Sequence, residues 1–287
     1  MFSIATGDAL ATLGTLPDQH VQTIVTSPPY FGLRDYGISG QIGLERTPEA
    51  HVQALVGVFR EARRVLRDDG TLWLNLGDRY GADKQLLCMP WRVALALQAD
   101  GWYLRQDIIW HKPNPIPESV KDRCTKAHEF IFLLSKNQRY YYDADAIRQP
   151  YADKTKTTWG CEFKGRDDGT GLLAAGNMAS DIAVHKPHPK GANRRTVWTV
   201  APKRYTGAHF ATYPVELVEP CVLAGAPAGG LVLDPFAGAG TTGVAALKHR
   251  RRFLGIELSP EYAEMARARL NDTSPACLPP SQLDLQH

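Results

Sequence analysis

Near the end of the chain, Asp234-Pro235-Phe236-Ala237-Gly238-Ala239-Gly240-Thr241-Thr242-Gly243 separates a short apolar run, Leu231-Val232-Leu233, from a helical pattern over 241–248. Glycines at a strand-to-helix turn let the backbone approach a ligand, and the helix N-terminus favours an anionic group. An acid closing the next strand, here Glu257, can hold ribose hydroxyls. On pattern alone the loop also fits a NAD(P) site. Its position is the stronger constraint. A doubly wound sheet needs several strands beyond its first glycine loop, yet only one strand (252–258) and one helix (Ser259 as N-cap, Pro260 onward) follow. The rest of the sheet must come from the N-terminal half. The implied order is a circular permutation, with 3–8 as third strand, 24–26 as fourth, and the glycine-loop strand arriving last at the centre.

The N-terminal half supplies such strands. An apolar approach over 21–25 runs into Thr26-Ser27-Pro28-Pro29-Tyr30, where two prolines remove two amide donors and end the strand. Residues 32–43 carry four glycines around Arg34, Asp35 and Tyr36, a mobile-loop composition. Thr47 as N-cap, Pro48 at the first helical position and Val52, Leu55, Phe59, Ala62 and Leu66 at helical spacing predict a helix closed by Gly70. Strands are expected over 71–78, 102–110 and 129–135, with a helix over 91–99 and another over 214–223. The fold class read from this is α/β: a Rossmann-like, mostly parallel sheet with a terminal antiparallel hairpin and a small basic insert. The division expected is 1–150 for one half, 151–195 for the insert, 196–271 for the other half and 272–287 for a flexible tail.

Lys+Arg 33 against Asp+Glu 30 leaves a formal charge of only +3, so any nucleic-acid contact must be local. The five cysteines are odd in number and never form CxxC, which argues against both a disulfide framework and a zinc finger; no metal is expected. Neither a signal-peptide pattern nor an apolar run near the ~18 residues of a membrane span is present. The expectation is a cytoplasmic protein without membrane contact.

TSPPY near one end and DPFAGAGTT near the other, with GDAL (Gly7 to Leu10) before the first and GIEL (Gly255 to Leu258) after the second, resemble the permuted (β-class) DNA amino-methyltransferases. That family uses S-adenosyl-L-methionine to methylate adenine N6 or cytosine N4, and the resemblance spans nearly the whole chain apart from 151–195. It implies that Ser27, Pro28, Pro29 and Tyr30 are the catalytic tetrapeptide. It places Asp234, Phe236, Gly238, Gly240, Thr241 and Thr242 around the methionine part of the cofactor, Glu257 on its ribose and Asp8 by its adenine. His209-Phe210 with Pro214 resembles the family's remaining cofactor motif, which adds Phe210.

Chemistry accounts for these residue types. The lone pair of an exocyclic base amine is delocalised into the ring, so a site must hold the nitrogen pyramidal and in line with a sulfonium methyl. Ser27 Oγ and the Pro28 carbonyl can accept the amine protons, the prolines stiffen the backbone, and Tyr30 offers a stacking face. A base inside a duplex is out of reach, so it should be flipped out. The plain alternative for Ser27 to Tyr30 is a proline-rigid turn. Serine in the first position leaves cytosine N4 and adenine N6 both open.

Other residues carry less. Lys112, after the strand ending at Trp110-His111, could meet phosphate or simply face solvent. Adjacent His128 and Glu129 should point to opposite faces of a strand, which favours a structural or solvated role over an acid/base pair. Pro220-Cys221 resembles the nucleophile dipeptide of enzymes that methylate cytosine carbon, but its helical setting favours buried packing, as for Trp73 and Phe59. The insert, with Lys154, Lys156, Lys164, Arg166, Arg194 and Arg195, occupies the family's target-recognition position and suits contacts to double-stranded DNA, against an ordinary solvated loop. It is short for that role, which leads to a homodimer sharing the reading, with Arg34 contributing. The rival functions are a dehydrogenase, a catalytically silent DNA-binding regulator, and a methylase of RNA or protein.

Overall fold

The computed structural model describes residues 1–151, 188–202 and 213–273. Eight strands form one sheet: β1 (Phe2–Thr6), β2 (Val21–Thr26), β3 (Leu66–Leu76), β4 (Tyr103–His111), β5 (His128–Ser135), β6 (Val197–Thr199), β7 (Leu231–Asp234) and β8 (Arg252–Glu257). Their spatial order is β1-β8-β7-β2-β3-β5-β4-β6. β5 runs antiparallel to β3 and β4, and every other pairing is parallel. The glycine-loop strand β7 therefore lies inside the sheet, bonded to β8 and β2, as its sequence position required.

Among the described residues six α-helices cover the two faces: α1 (Ala9–Gly14), α2 (Pro48–Val65), α3 (Met89–Ala99), α4 (Val215–Gly225), α5 (Thr241–Lys248) and α6 (Pro260–Thr273). Period-two alternation feeds both faces. Ile24, Leu72, Leu74, Phe132 and Leu134 join Leu55 and Phe59 of α2 in one cluster. Val25, Trp73, Ile131 and Leu133 join Leu217, Cys221 and Ala245 in the other. Trp73, Phe59 and Cys221 are thus core residues, and burial pushes the Cys221 thiol far up, out of the range of a nucleophile.

Helix α2 begins as expected, Thr47 Oγ1 accepting from the Ala50 amide at 3.2 Å ahead of Pro48. It does not run to Gly70. Leu66 turns extended (φ −72°, ψ 137°), and β3 starts there. Gly70 lies inside that strand, where a Cβ would stand 2.9 Å from the Gln22 carbonyl oxygen, at the register shift between β2 and β3. The glycine marks a bulge rather than a helix stop.

The antiparallel hairpin of β4 and β5 exists but is not terminal. The three-residue β6 pairs with β4 outside it, Ile109 facing Val197, and is too short to show alternation in the sequence. Asp272 and Thr273, assigned to the tail, still belong to α6. Among the described residues no helix is long and apolar enough to cross a membrane.

Candidate active site

The carboxyl ends of β1, β8, β7 and β2 meet along one edge of the sheet, and each delivers a piece of the site. From β1, Asp8 caps α1 by accepting from the Ala11 amide at 2.8 Å, and the preceding Gly7 amide donates to the Glu257 carbonyl at 2.9 Å. Asp8 and Glu257 are thereby neighbours. Glu257 ends β8 and accepts from the Gly238 amide at 2.8 Å and the Ser259 amide at 2.9 Å. Burial raises its pKa, opposed by these amides.

The glycines of the loop divide the work. Gly238 and Gly240 have φ +51° and +75°, in the left-handed region. Space beside Gly238 is open: an added Cβ would meet nothing within 4 Å. Gly243 faces inward, where a Cβ would sit 2.6 Å from the Phe253 ring, so its absence brings α5 onto β8. An open backbone at Gly238 beside a carboxylate held by two amides fits the methionine and ribose parts of a nucleoside sulfonium.

Asp234, at the end of β7, is fully buried, and four donors surround its carboxylate. They are Thr26 Oγ1 at 2.6 Å, Thr242 Oγ1 at 2.8 Å, Tyr213 OH at 3.0 Å and the Phe236 amide at 3.1 Å. Burial pushes its pKa up against these bonds. With both oxygens so engaged, Asp234 fastens β2, α5 and the glycine loop together. Thr242 also reaches the Val25 carbonyl at 3.1 Å, Thr241 Oγ1 accepts from Arg269 at 3.0 Å, and Phe236 packs edge-on against Phe59. These three hold the loop from within.

Thr26 leads directly into Ser27-Pro28-Pro29-Tyr30. Ser27 Oγ donates to the Tyr30 hydroxyl at 3.2 Å, and Tyr30 donates to Glu129 Oε2 at 2.8 Å. Asn75 Nδ2 lies 2.8 Å from the Tyr30 oxygen, 2.9 Å from Glu129 Oε2 and 3.3 Å from Ser27 Oγ. Burial and the Glu129 charge raise the Tyr30 pKa well above that of a free phenol, so the hydroxyl stays protonated. Gly77 completes the support, since a Cβ there would fall 2.5 Å from the Tyr30 ring.

His128 and Glu129 do face opposite ways, but Glu129 turns towards Tyr30, and His128 packs against Phe130 at 5.2 Å. Lys112 is also committed: it forms an ion pair with Glu129 and lies 4.3 Å over the Trp110 ring. Arg194 stacks on Trp198 at 4.6 Å, half-buried, and Arg195 offers its amide to Gln149 Oε1 at 3.3 Å. Arg34 and Tyr36 lie near Tyr262 of α6, and Tyr36 meets the Tyr262 ring edge-on at 6.4 Å. Phe210, Lys154, Lys156, Lys164 and Arg166 lie outside the described residues. Asn75, Gly77 and Tyr213 escaped the sequence reading, although a polar Asn75 within the apolar run LWLNL is a visible anomaly.

A glycine loop beside a proline-stiffened Ser27–Tyr30 segment, on one edge of a Rossmann-like sheet, is an arrangement of the methyltransferase type. Residues 21–268 match the family model described as DNA methylase, of the N6/N4 type. The chain is 45% identical over 92% of its length to the type II methyltransferase M.Cfr9I of Citrobacter freundii, covering 86% of it. It is 43% identical over 93% to M.SmaI of Serratia marcescens, covering 90%. A structure from Thermus thermophilus, described as a DNA modification methylase complexed with S-adenosyl-L-methionine, aligns with TM-score 0.64 and 27% identity over 96% of this chain and 95% of its own. PvuII DNA methyltransferase, described as cytosine-N4-specific, shares the fold: TM-score 0.68 and 19% identity over 95% and 90%. The chain belongs to the N6/N4 family of S-adenosylmethionine-dependent DNA methyltransferases.

Proposed function

We propose that this enzyme methylates an exocyclic amine, cytosine N4 or adenine N6, of a base flipped out of double-stranded DNA. The observation that carries the reading is the Thr26–Asp234 bond, which sets Ser27 directly beside the glycine loop. Gly238, Gly240 and Phe236 would line the methionine part of the cofactor, Glu257 would take the ribose and Asp8 would lie by the adenine. When bound, S-adenosylmethionine supplies an electrophilic methyl group.

The chain's own part is to prepare the nitrogen. Ser27 Oγ and the Pro28 carbonyl accept the amine protons and turn the lone pair out of conjugation. Pro28 and Pro29 fix the spacing of those acceptors. Tyr30, pinned through its hydroxyl by Asn75 and Glu129, presents a stationary ring to the base, which cuts the ordering cost of binding. Both candidate amines offer the same chemistry to a serine.

A dehydrogenase would leave this arrangement without a use, and a silent regulator would not need it intact. A homodimer sharing the recognition of DNA is proposed from the shortness of 151–195, and light scattering of the free and DNA-bound enzyme tests it, a monomer in both contradicting it. The deciding experiment incubates the enzyme with duplex DNA and methyl-labelled cofactor, then identifies the modified nucleoside by mass. Label on a base amine supports the reading; none on DNA, with cofactor bound, contradicts it.

A further inference from the structure

Once nitrogen has taken the methyl group, it carries a proton that must leave, and the established family assignment does not say where it goes. We propose that Ser27, Tyr30 and Glu129 form a proton relay that draws this proton from the methylated amine to Glu129, at the outer end of the site. The proposal rests on the amine-methylation reading above.

The hydrogen bonds already run in the required direction. Ser27 Oγ–H points to the Tyr30 oxygen at 3.2 Å, and Tyr30 O–H points to Glu129 Oε2 at 2.8 Å. As the N–C bond forms, the S–C bond breaks and its electron pair stays on sulfur. The N–H bond then breaks with its pair returning to nitrogen. The proton joins Ser27 Oγ, the serine proton passes to Tyr30, and the tyrosine proton passes to Glu129. Both hydroxyls end neutral, and the carboxylate becomes a carboxylic acid. No group outside the site is consumed.

The surroundings suit a terminal acceptor. Side chains of Glu129 and Lys112 are 15% and 21% exposed, so the acid formed can return its proton to solvent. Lys112 just beyond β4 and Lys126 ahead of β5 face the carboxylate with positive charge, and Asp78, beyond β3, faces Lys126. Asn75 Nδ2 bridges Ser27, Tyr30 and Glu129 and holds the three oxygens in register. Glu129 works through Tyr30 and Ser27, which makes it a positioning and proton-accepting residue rather than one that touches the base.

The test is E129Q, whose amide oxygen can still accept from Tyr30 but takes up no proton. Single-turnover methylation of duplex DNA is followed against pH alongside cofactor and DNA affinity. Only a carboxylate at position 129 can take up the proton, so the relay predicts a wild-type rate with a falling limb on the acid side. In E129Q the expected result is about a 100-fold lower rate, unchanged affinities and no such limb. Should E129Q not fold, E129D is expected to lower the rate while keeping the limb. Variants with wild-type rate and an unchanged profile overturn the relay, leaving Glu129 a mere prop for the ring. A wild-type enzyme that labels no DNA amine overturns the reading itself, a result distinguishable from failure of the relay alone.

Discussion

Thr26 and Asp234, separated by 208 positions in the chain, are joined by a buried 2.6 Å hydrogen bond between hydroxyl and carboxylate. Through it the strand that delivers the catalytic serine is clamped to the strand that delivers the glycine loop.

Loss of that clamp should cost stability. Thr26→Val removes one donor to a carboxylate that is fully buried, with three others remaining. A hydrogen bond to a charged group contributes about 1.5–3 kcal/mol, and a drop of that size is expected in urea unfolding. Asp234→Ala removes the acceptor shared by Thr26, Thr242, Tyr213 and the Phe236 amide and should cost more than T26V.

The glycines should separate folding from cofactor binding. Gly238→Ala places a side chain in the open cleft at φ +51°. Strain of about 1–2 kcal/mol is expected, with cofactor affinity falling further than that strain alone implies. Gly243→Ala drives a methyl into the Phe253 ring and should cost about 1–3 kcal/mol of stability. Calorimetric titration beside thermal unfolding distinguishes the two, and equal effects on affinity would contradict the assignment of Gly238 to the ligand side.

Cofactor binding should depend on acid pH through Glu257. Burial raises its pKa, and only the ionised carboxylate accepts a ribose hydroxyl without donating a proton. Affinity should therefore be full at neutral pH and fall as pH drops, beginning above the usual glutamate range. E257Q should bind weakly and lose that dependence. A wild-type affinity flat through acid pH would deny Glu257 this role.

Tyr30→Phe should retain cofactor binding but turn over slowly. The phenylalanine ring can still stack, but Asn75 and Glu129 lose their shared partner. Turnover about tenfold or more below wild type is expected, measured as rate under saturating cofactor and DNA.

Much of this was legible in the residues. The central place of β7 followed from how little chain remains after Gly243, and the start of α2 followed from Thr47 and Pro48, because caps are local chemistry. Gly70 misled because a glycine after a helix pattern and a glycine in a bulge look alike until the partner strand is known. The partners of Glu129 were hidden for a similar reason. Strand alternation told which way Glu129 points relative to His128, but its partners Tyr30 and Asn75 come from the loop after β2 and from β3, and only pairing of the sheet brings them within 3 Å. For Lys112 a phosphate contact and a solvated strand end both stayed open, because its neutralising partner Glu129 lies on β5.

The central claim is that Ser27 and the glycine loop form one transfer site, and S27A tests it most directly. Duplex DNA and labelled S-adenosylmethionine are supplied to wild type and variant, cofactor affinity is measured in both, and the modified nucleoside is identified. The account predicts label on cytosine N4 or adenine N6 from the wild type, and from S27A full cofactor affinity with nearly all transfer lost. Label on a ring carbon, or S27A transferring at the wild-type rate, would contradict it.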